Sequence, residues 1–276
     1  MSKKFLFITH LSPLAIRSSL RQGLIESMQK SLYNQSYKNW KALWIGEREF
    51  EDDHIKEVKL NGKNELSSVY SRKDVLDYIN DCDYIVKLDD DDIILPNTLK
   101  IASGFDFDCY CDAYHTFYDI SSGVLTQQKR PWIASTCIHK KEHALIHQNG
   151  EEKAENFVNS LFYGNHAKDW ITFYKNKKVI YADKKNPVYV RILSPTSITA
   201  GAKTFPVKSI NDTDMIHYYK YLKEFGVWHN VILNQFEQFK SDLSASWFKF
   251  SNLKQSPIQG ISFFEIAKAK IKTYLK

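Results

Sequence analysis

Asp83-Tyr-Ile-Val-Lys-Leu-Asp-Asp-Asp-Asp-Ile-Ile-Leu-Pro-Asn97 delivers four consecutive carboxylates to the end of a short apolar run. Tyr84, Ile85, Val86 and Leu88 read as a buried strand, and Pro96 closes the segment just before a helical stretch. Asp89, Asp90, Asp91 and Asp92 therefore fall at a strand end. Four adjacent carboxylates repel one another, and they protonate in part unless a cation or hydrogen-bond donors neutralise them. The arrangement calls for a hard ion with oxygen ligands, for which Mg²⁺ or Mn²⁺ is the best fit. An EF-hand calcium loop is excluded, because its third ligand position would fall on Ile93 and its glycine on Ile94. The plain alternative is a solvated acidic turn. Such a turn needs neither a strand aimed at it nor the apolar Ile93-Ile94-Leu95-Pro96 behind it.

Strands are predicted over residues 4–10, 42–46 and 54–60 and helices over 17–32 and 66–79, with Leu20, Leu24, Met28 and Leu32 on one face of the first helix. Strand alternating with helix predicts an α/β fold whose parallel sheet is built from βαβ units. Ligands of such sheets bind beyond the carboxyl ends of the strands, where the acidic run lies. Residues 105–119 and 132–139 alternate apolar and polar and read as strands of a second part. Trp132, Thr136 and His139 either line an acceptor pocket there or simply pack, and packing is the plainer reading. Residues 155–162, 212–239 and 261–276 read as helices.

The 276 residues, 43% apolar, are enough to bury a large core. Aromatic residues reach 14%, and sugar-handling clefts use such faces as platforms. No apolar span of about 18 residues occurs, and the apolar part of the N-terminus is short for a signal peptide, so a cytoplasmic location is expected. Cys82, Cys109, Cys111 and Cys137 form no CxxC pair or zinc-finger spacing and read as core thiols. The net charge of +6 is dispersed and no nucleic-acid motif accompanies it. A nucleotide diphosphate or an anionic membrane accounts for it as well as RNA does. No glycine-rich phosphate loop follows the strands.

A strand followed by Asp-x-Asp-Asp, a branched aliphatic residue and Pro resembles the metal motif of GT-A glycosyltransferases, in particular the inverting family 2. Ser31-Leu-Tyr-Asn-Gln-Ser-Tyr37 leading into the strand at 42–46, Lys168-Asp169-Trp170, and Pro187-Val-Tyr-Val-Arg-Ile-Leu-Ser-Pro-Thr-Ser-Ile198 extend the likeness over roughly residues 4–200. It implies a Rossmann-like, mostly parallel sheet flanked by helices. Residues 1–205 would form the catalytic domain, divided into a nucleotide-sugar half (1–104) and an acceptor half (105–205), and 206–276 a helical C-terminal extension.

The resemblance further implies a divalent ion, Mn²⁺ or Mg²⁺, at Asp89, Asp91 and Asp92, with Asp89 and Asp90 beside the donor diphosphate. Glu47 stands where the family presents an Asp pair to the nucleotide base. Arg72, in Ser71-Arg72-Lys73, stands where an Ala-Arg-Asn motif contacts the nucleotide or diphosphate. Arg191 is placed to neutralise the leaving phosphate, and Leu193 occupies the position of a histidine that serves the metal in many members. Asp169 takes the place of the catalytic base. The plainer alternative is a carboxylate at a helix N-terminus, and His166 is the weaker candidate for the base or for a metal ligand. Asn34 and Gln35 read as a structural helix exit.

The activity implied is metal-dependent transfer of a sugar, with inversion, from a nucleotide-diphosphate sugar to a hydroxyl of a glycan or lipid-linked saccharide, in surface polysaccharide or glycoconjugate synthesis. UDP is the first choice of donor nucleotide, with dTDP and GDP as alternatives. Two other readings are a sugar nucleotidyltransferase and a non-catalytic carbohydrate-binding protein derived from such an enzyme. Residues 260–276 form a basic amphipathic pattern that suits either a helix docked on its own domain or peripheral contact with the cytoplasmic membrane.

Overall fold

Phe5, Phe7 and Leu6, Ile8 alternate in sequence yet are all buried, the mark of a strand covered on both faces. In the computed structural model, described over residues 2–14, 17, 19–60, 66–119, 124–129, 136–145, 173–183 and 186–193, this strand is Phe5–His10 (β1). The following strands are Trp40–Gly46 (β2), Phe50–Glu51 (β3), Ile55–Lys59 (β4), Tyr84–Lys87 (β5), Ile93–Ile94 (β6), Cys109–Asp112 (β7), Tyr114–Asp119 (β8), Val124–Lys129 (β9), Ile138–Lys140 (β10), Val179–Ala182 (β11) and Tyr189–Leu193 (β12). The helices are Ser19–Tyr33 (α1), Leu66–Ser71 (α2), Lys73–Asn80 (α3), Thr98–Ser103 (α4) and Lys141–Ala144 (α5). One sheet has the order β11-β7-β10-β5-β1-β2-β4-β3 and a smaller one β6-β12-β8-β9. In the larger sheet only β3 and β10 run against the rest, so the expected mostly parallel α/β sheet is present.

The period of two divides the core. Phe5, Phe7, Trp40, Ala42 and Trp44 pack with Met28 and Leu32 of α1 on one face. Leu6, Ile8, Leu43 and Ile45 pack with Val75 and Ile79 of α3 on the other. From β1 the chain winds through α1 to β2 and then β4. It next returns through α2 and α3 to β5, on the opposite side of β1. The carboxyl ends of β1 and β5 are thus a topological switch point, the place where open α/β sheets leave a crevice.

Two sequence expectations are corrected. The helix at 66–79 is broken at Arg72, whose extended backbone (φ −64, ψ 133) ends α2 and opens α3. Asp74 in the first turn of α3 and the Arg72 side chain bond to one another and stabilise the break. The strand at 105–119 is two strands in different sheets, changing partners at Ala113, because alternation has the same period in either sheet. Residues 138–139 lie in a strand as expected, and Thr136 and His139 are buried. Trp132, His166, Asp169, the boundary at 205 and the C-terminal extension lie outside the described residues. Among the described residues no helix is long and apolar enough to cross a membrane.

The helix exit at 31–37 does long-range work. Gln35 is fully buried; its Nε2 donates to Leu95 O at 2.7 Å and its Oε1 accepts from Leu99 N at 3.3 Å. The Ser31 hydroxyl donates to Met28 O and accepts from Ile94 N. Leu99 sits in the first turn of α4, where amides have no partner within the helix. A second tie joins the sheets. Asp112, at the end of β7, accepts from Val188 N at 2.8 Å just before β12, and burial pushes its carboxyl up to about 7.

Gln35→Ala should therefore cost about 2 kcal/mol or more in urea unfolding, since it strands a buried carbonyl and a buried amide together. Asn34→Ala, at an exposed position, should stay within about 0.5 kcal/mol. Equal small losses would show that the clamp adds nothing.

Candidate active site

After β5 the chain turns at once, closed by a hydrogen bond of 3.1 Å from Asp92 N to Asp89 O, and re-enters as β6. The turn aims the four carboxylates at three different structures. Asp90, with a side chain 3% exposed, accepts from Ser12 N at 2.8 Å in the loop after β1 and from Arg21 of α1. Asp91, 15% exposed, accepts from the other terminal nitrogen of the same guanidinium. Asp92 is buried and accepts from Ile192 N at 3.1 Å in β12. Asp89 is half-buried at the strand end.

The loop after β1 is held from both sides. Arg17 donates from Nε and Nη2 to Ser12 O, and Leu14 N donates to Glu47 Oε1 at the end of β2. Glu47 and the acidic run therefore flank one loop at the switch point. Pairing of β12 with β6, Tyr189 opposite Ile94 and Val190 opposite Ile93, brings Arg191 next to the carboxylates. Arg191 pulls both Asp91 and Asp92 toward the charged form.

That pull is insufficient. Burial pushes Asp91 up to about 6 against Arg21, with Asp89 and Asp90 adding to the rise. Burial and then Asp91 hold Asp92 well above the ordinary carboxylate range. Lys87, partly buried at the end of β5, is pushed down by burial. Among the described residues four carboxylates face two guanidiniums, those of Arg21 and Arg191, and a bound divalent ion would relieve the crowding of like charges. Among the described residues the aspartates do not bring three ligand oxygens within 4.8 Å of one another. The set suits an ion that takes one or two carboxylates and completes its shell with phosphate and water.

Arg72 is half-buried, bonded to Asp74 at 2.9 and 3.0 Å and ion-paired with Glu49 at 3.5 Å, two residues from Glu47. The residue that sequence reasoning missed is Arg21. A signal existed: a cation in the first turn of a helix opposes the helix dipole, and α1 has no acidic residue there, so an anion had to face it.

No protein-family model matches the sequence, and no curated protein does. Among solved structures it is similar to TarS of S. aureus (residues 1–349) at 13% identity and a TM-score of 0.40, over 95% of this chain and 76% of that one. It is also similar to a galactosyltransferase, LgtC, in complex with donor and acceptor sugar analogs, at 9% identity and 0.35, over 84% and 99%. A third is the 4-diphosphocytidyl-2C-methyl-D-erythritol synthase of Anaerococcus prevotii, at 10% and 0.35, over 80% and 99%. Identities and scores this low transfer no activity to this chain.

Arg21→Met should destabilise the fold by on the order of 2 kcal/mol at pH 8, because two partly buried carboxylates lose their cation. The folded Asp91 binds its proton more tightly than the unfolded chain does. Stability therefore falls as pH rises from about 4 toward about 6, and losing Arg21 extends that fall upward. Urea unfolding should show a smaller loss at pH 5 than at pH 8, with Mn²⁺ recovering part of the latter. An equal loss at both pH values would mean that Arg21 acts by packing alone.

Proposed function

We propose that the chain is a GT-A glycosyltransferase acting on a nucleotide-diphosphate sugar. The observation that carries this reading is the acidic run at the β1/β5 switch point, paired through Asp90 and Asp91 with Arg21 and faced by Arg191 from the second sheet. The family 2 likeness of the motifs at 31–37, 89–92, 168–170 and 187–198 supports it.

Asp89 and Asp91, with Asp92 behind them, would hold Mn²⁺ or Mg²⁺, and the ion would supply Lewis-acid neutralisation of the diphosphate. Asp90 fixes the loop after β1 through Ser12, and so sets the floor on which the donor lies. Arg191 offsets charge on the departing phosphate. Glu47 meets the base, and Arg72, drawn by Glu49 to the same end of the sheet, meets the nucleotide. Asp169 takes the proton of the acceptor hydroxyl as it attacks the anomeric carbon, with inversion. UDP is the first choice of nucleotide. A glycan or lipid-linked saccharide serves as acceptor, in surface polysaccharide or glycoconjugate synthesis. The basic amphipathic segment at 260–276 suits peripheral contact with the inner face of the cytoplasmic membrane.

Calorimetry with UDP, dTDP and GDP should show binding that requires Mn²⁺ or Mg²⁺ and weakens at least tenfold in Asp91→Asn. Undiminished binding in EDTA would overturn the metal assignment.

Asp169→Asn should reduce sugar transfer by two orders of magnitude or more with donor binding unchanged, because a base acts on the acceptor. Near wild-type turnover would remove Asp169 from the mechanism.

A further inference from the structure

β7 and β10 pair antiparallel, with His139 opposite Cys109 and Ile138 opposite Tyr110. Strands turn alternate side chains to one face. Cys109 and Cys111 therefore share a face with His139 and with Cys137, two residues before it. All four side chains are fully buried, at 0% exposure. Cys109 Sγ, Cys137 Sγ and a ring nitrogen of His139 lie within 4.8 Å of one another, and no other group among the described residues gathers three ligand atoms so closely. Cys109 and Cys111 are hydrogen-bonded to each other.

The histidine orients the cluster. Its Nδ1 is 2.8 Å from the Tyr174 hydroxyl, and its Nε2 is 2.7 Å from Cys137 Sγ. With Nδ1–H donating to Tyr174, the Nε2 lone pair faces the sulfurs. A metal-bound imidazole has the same arrangement, its outer N–H fixed by a second partner. Simple packing asks for small apolar groups here and gives no reason for a buried imidazole aimed at thiols.

We propose that Cys109, Cys137 and His139, with Cys111 as the fourth ligand, form a binding site for a thiophilic divalent ion, Zn²⁺ by ligand type. Bonds of about 2.3 Å to sulfur and about 2.0 Å to nitrogen set tetrahedral ligand atoms roughly 3.5–3.8 Å apart, so on binding His139 Nε2 and Cys137 Sγ, 2.7 Å apart, separate by about 1 Å, while Cys111, outside the group gathered within 4.8 Å, moves inward. The three thiols lose their protons to solvent as the Zn–S bonds form. The ion joins β7 to β10 beneath Tyr174 and is chemically separate from the oxygen ligands of Asp89 and Asp91. The spacing C-x-C with C-x-H suits two paired strands, unlike the CxxC turns of zinc fingers.

Cobalt is the probe. The full reduced chain titrated with Co²⁺ should bind one equivalent with intense thiolate-to-cobalt charge-transfer bands, displaced by Zn²⁺. The bands should persist in Asp91→Asn and be lost in Cys137→Ser. Tyr174→Phe, which removes a single hydroxyl, should weaken Co²⁺ binding roughly tenfold or more while keeping the bands. Absence of charge-transfer bands in the wild-type chain would overturn the proposal whether or not the variants fold. So would bands undiminished in Cys137→Ser.

Discussion

Four carboxylates in sequence cannot be folded onto the end of an apolar sheet unless donors or cations answer them, and this requirement gathers the site. Asp90 is answered by an amide of the loop after β1 and by Arg21, Asp91 by the same guanidinium, and Asp92 by an amide of β12. Each answer recruits a different element, so loop, helix and second sheet converge on one turn. Coulomb energy at short range in a partly buried site outweighs the local preference of any one segment, the dipole of α1 included. Burial, with Asp89 and Asp90 adding to it, still pushes the Asp91 carboxyl up to about 6 against the pull of Arg21.

The elements that read correctly from the sequence are those whose signal is local. β1, β2 and β5 are largely apolar, and α1 has apolar residues at helical spacing. Gln35 was legible as structural, since an amide at a helix exit has obvious partners, but its bonds to Leu95 and Leu99 some sixty residues away were not. The break at Arg72 depends on one ψ angle that helix propensity does not register. The division of 105–119 between two sheets depends on which strands arrive from elsewhere, β10 and β11 for one half and β9 and β12 for the other.

Of the site, the acidic run and Arg191 were legible, and the pairing of β6 with β12 brings them together. Arg21 was not, because its partner lies about seventy residues downstream and only the helix dipole hints that one must exist. The ion pair of Arg72 with Glu49 was not legible, because it joins residues more than twenty positions apart. The cysteines are buried free thiols as expected, but their gathering with a histidine was not legible. Spacing rules for zinc fingers assume a turn, and the alternation of two paired strands assembles Cys109, Cys137 and His139 without one.

Glycosyl transfer and nucleotidyl transfer use the same crevice and the same class of ion, and they differ in the bond that breaks. The first cleaves the bond between sugar and phosphate and releases a nucleoside diphosphate. The second exchanges the nucleotide with pyrophosphate. Phosphorus NMR of the protein incubated with UDP-, dTDP- and GDP-sugars and Mn²⁺, with and without added pyrophosphate, separates them directly. Nucleoside diphosphate should accumulate from one of these donors, only when the ion is present. Formation of nucleoside triphosphate on adding pyrophosphate, or no nucleoside diphosphate from any of the donors, would contradict glycosyl transfer.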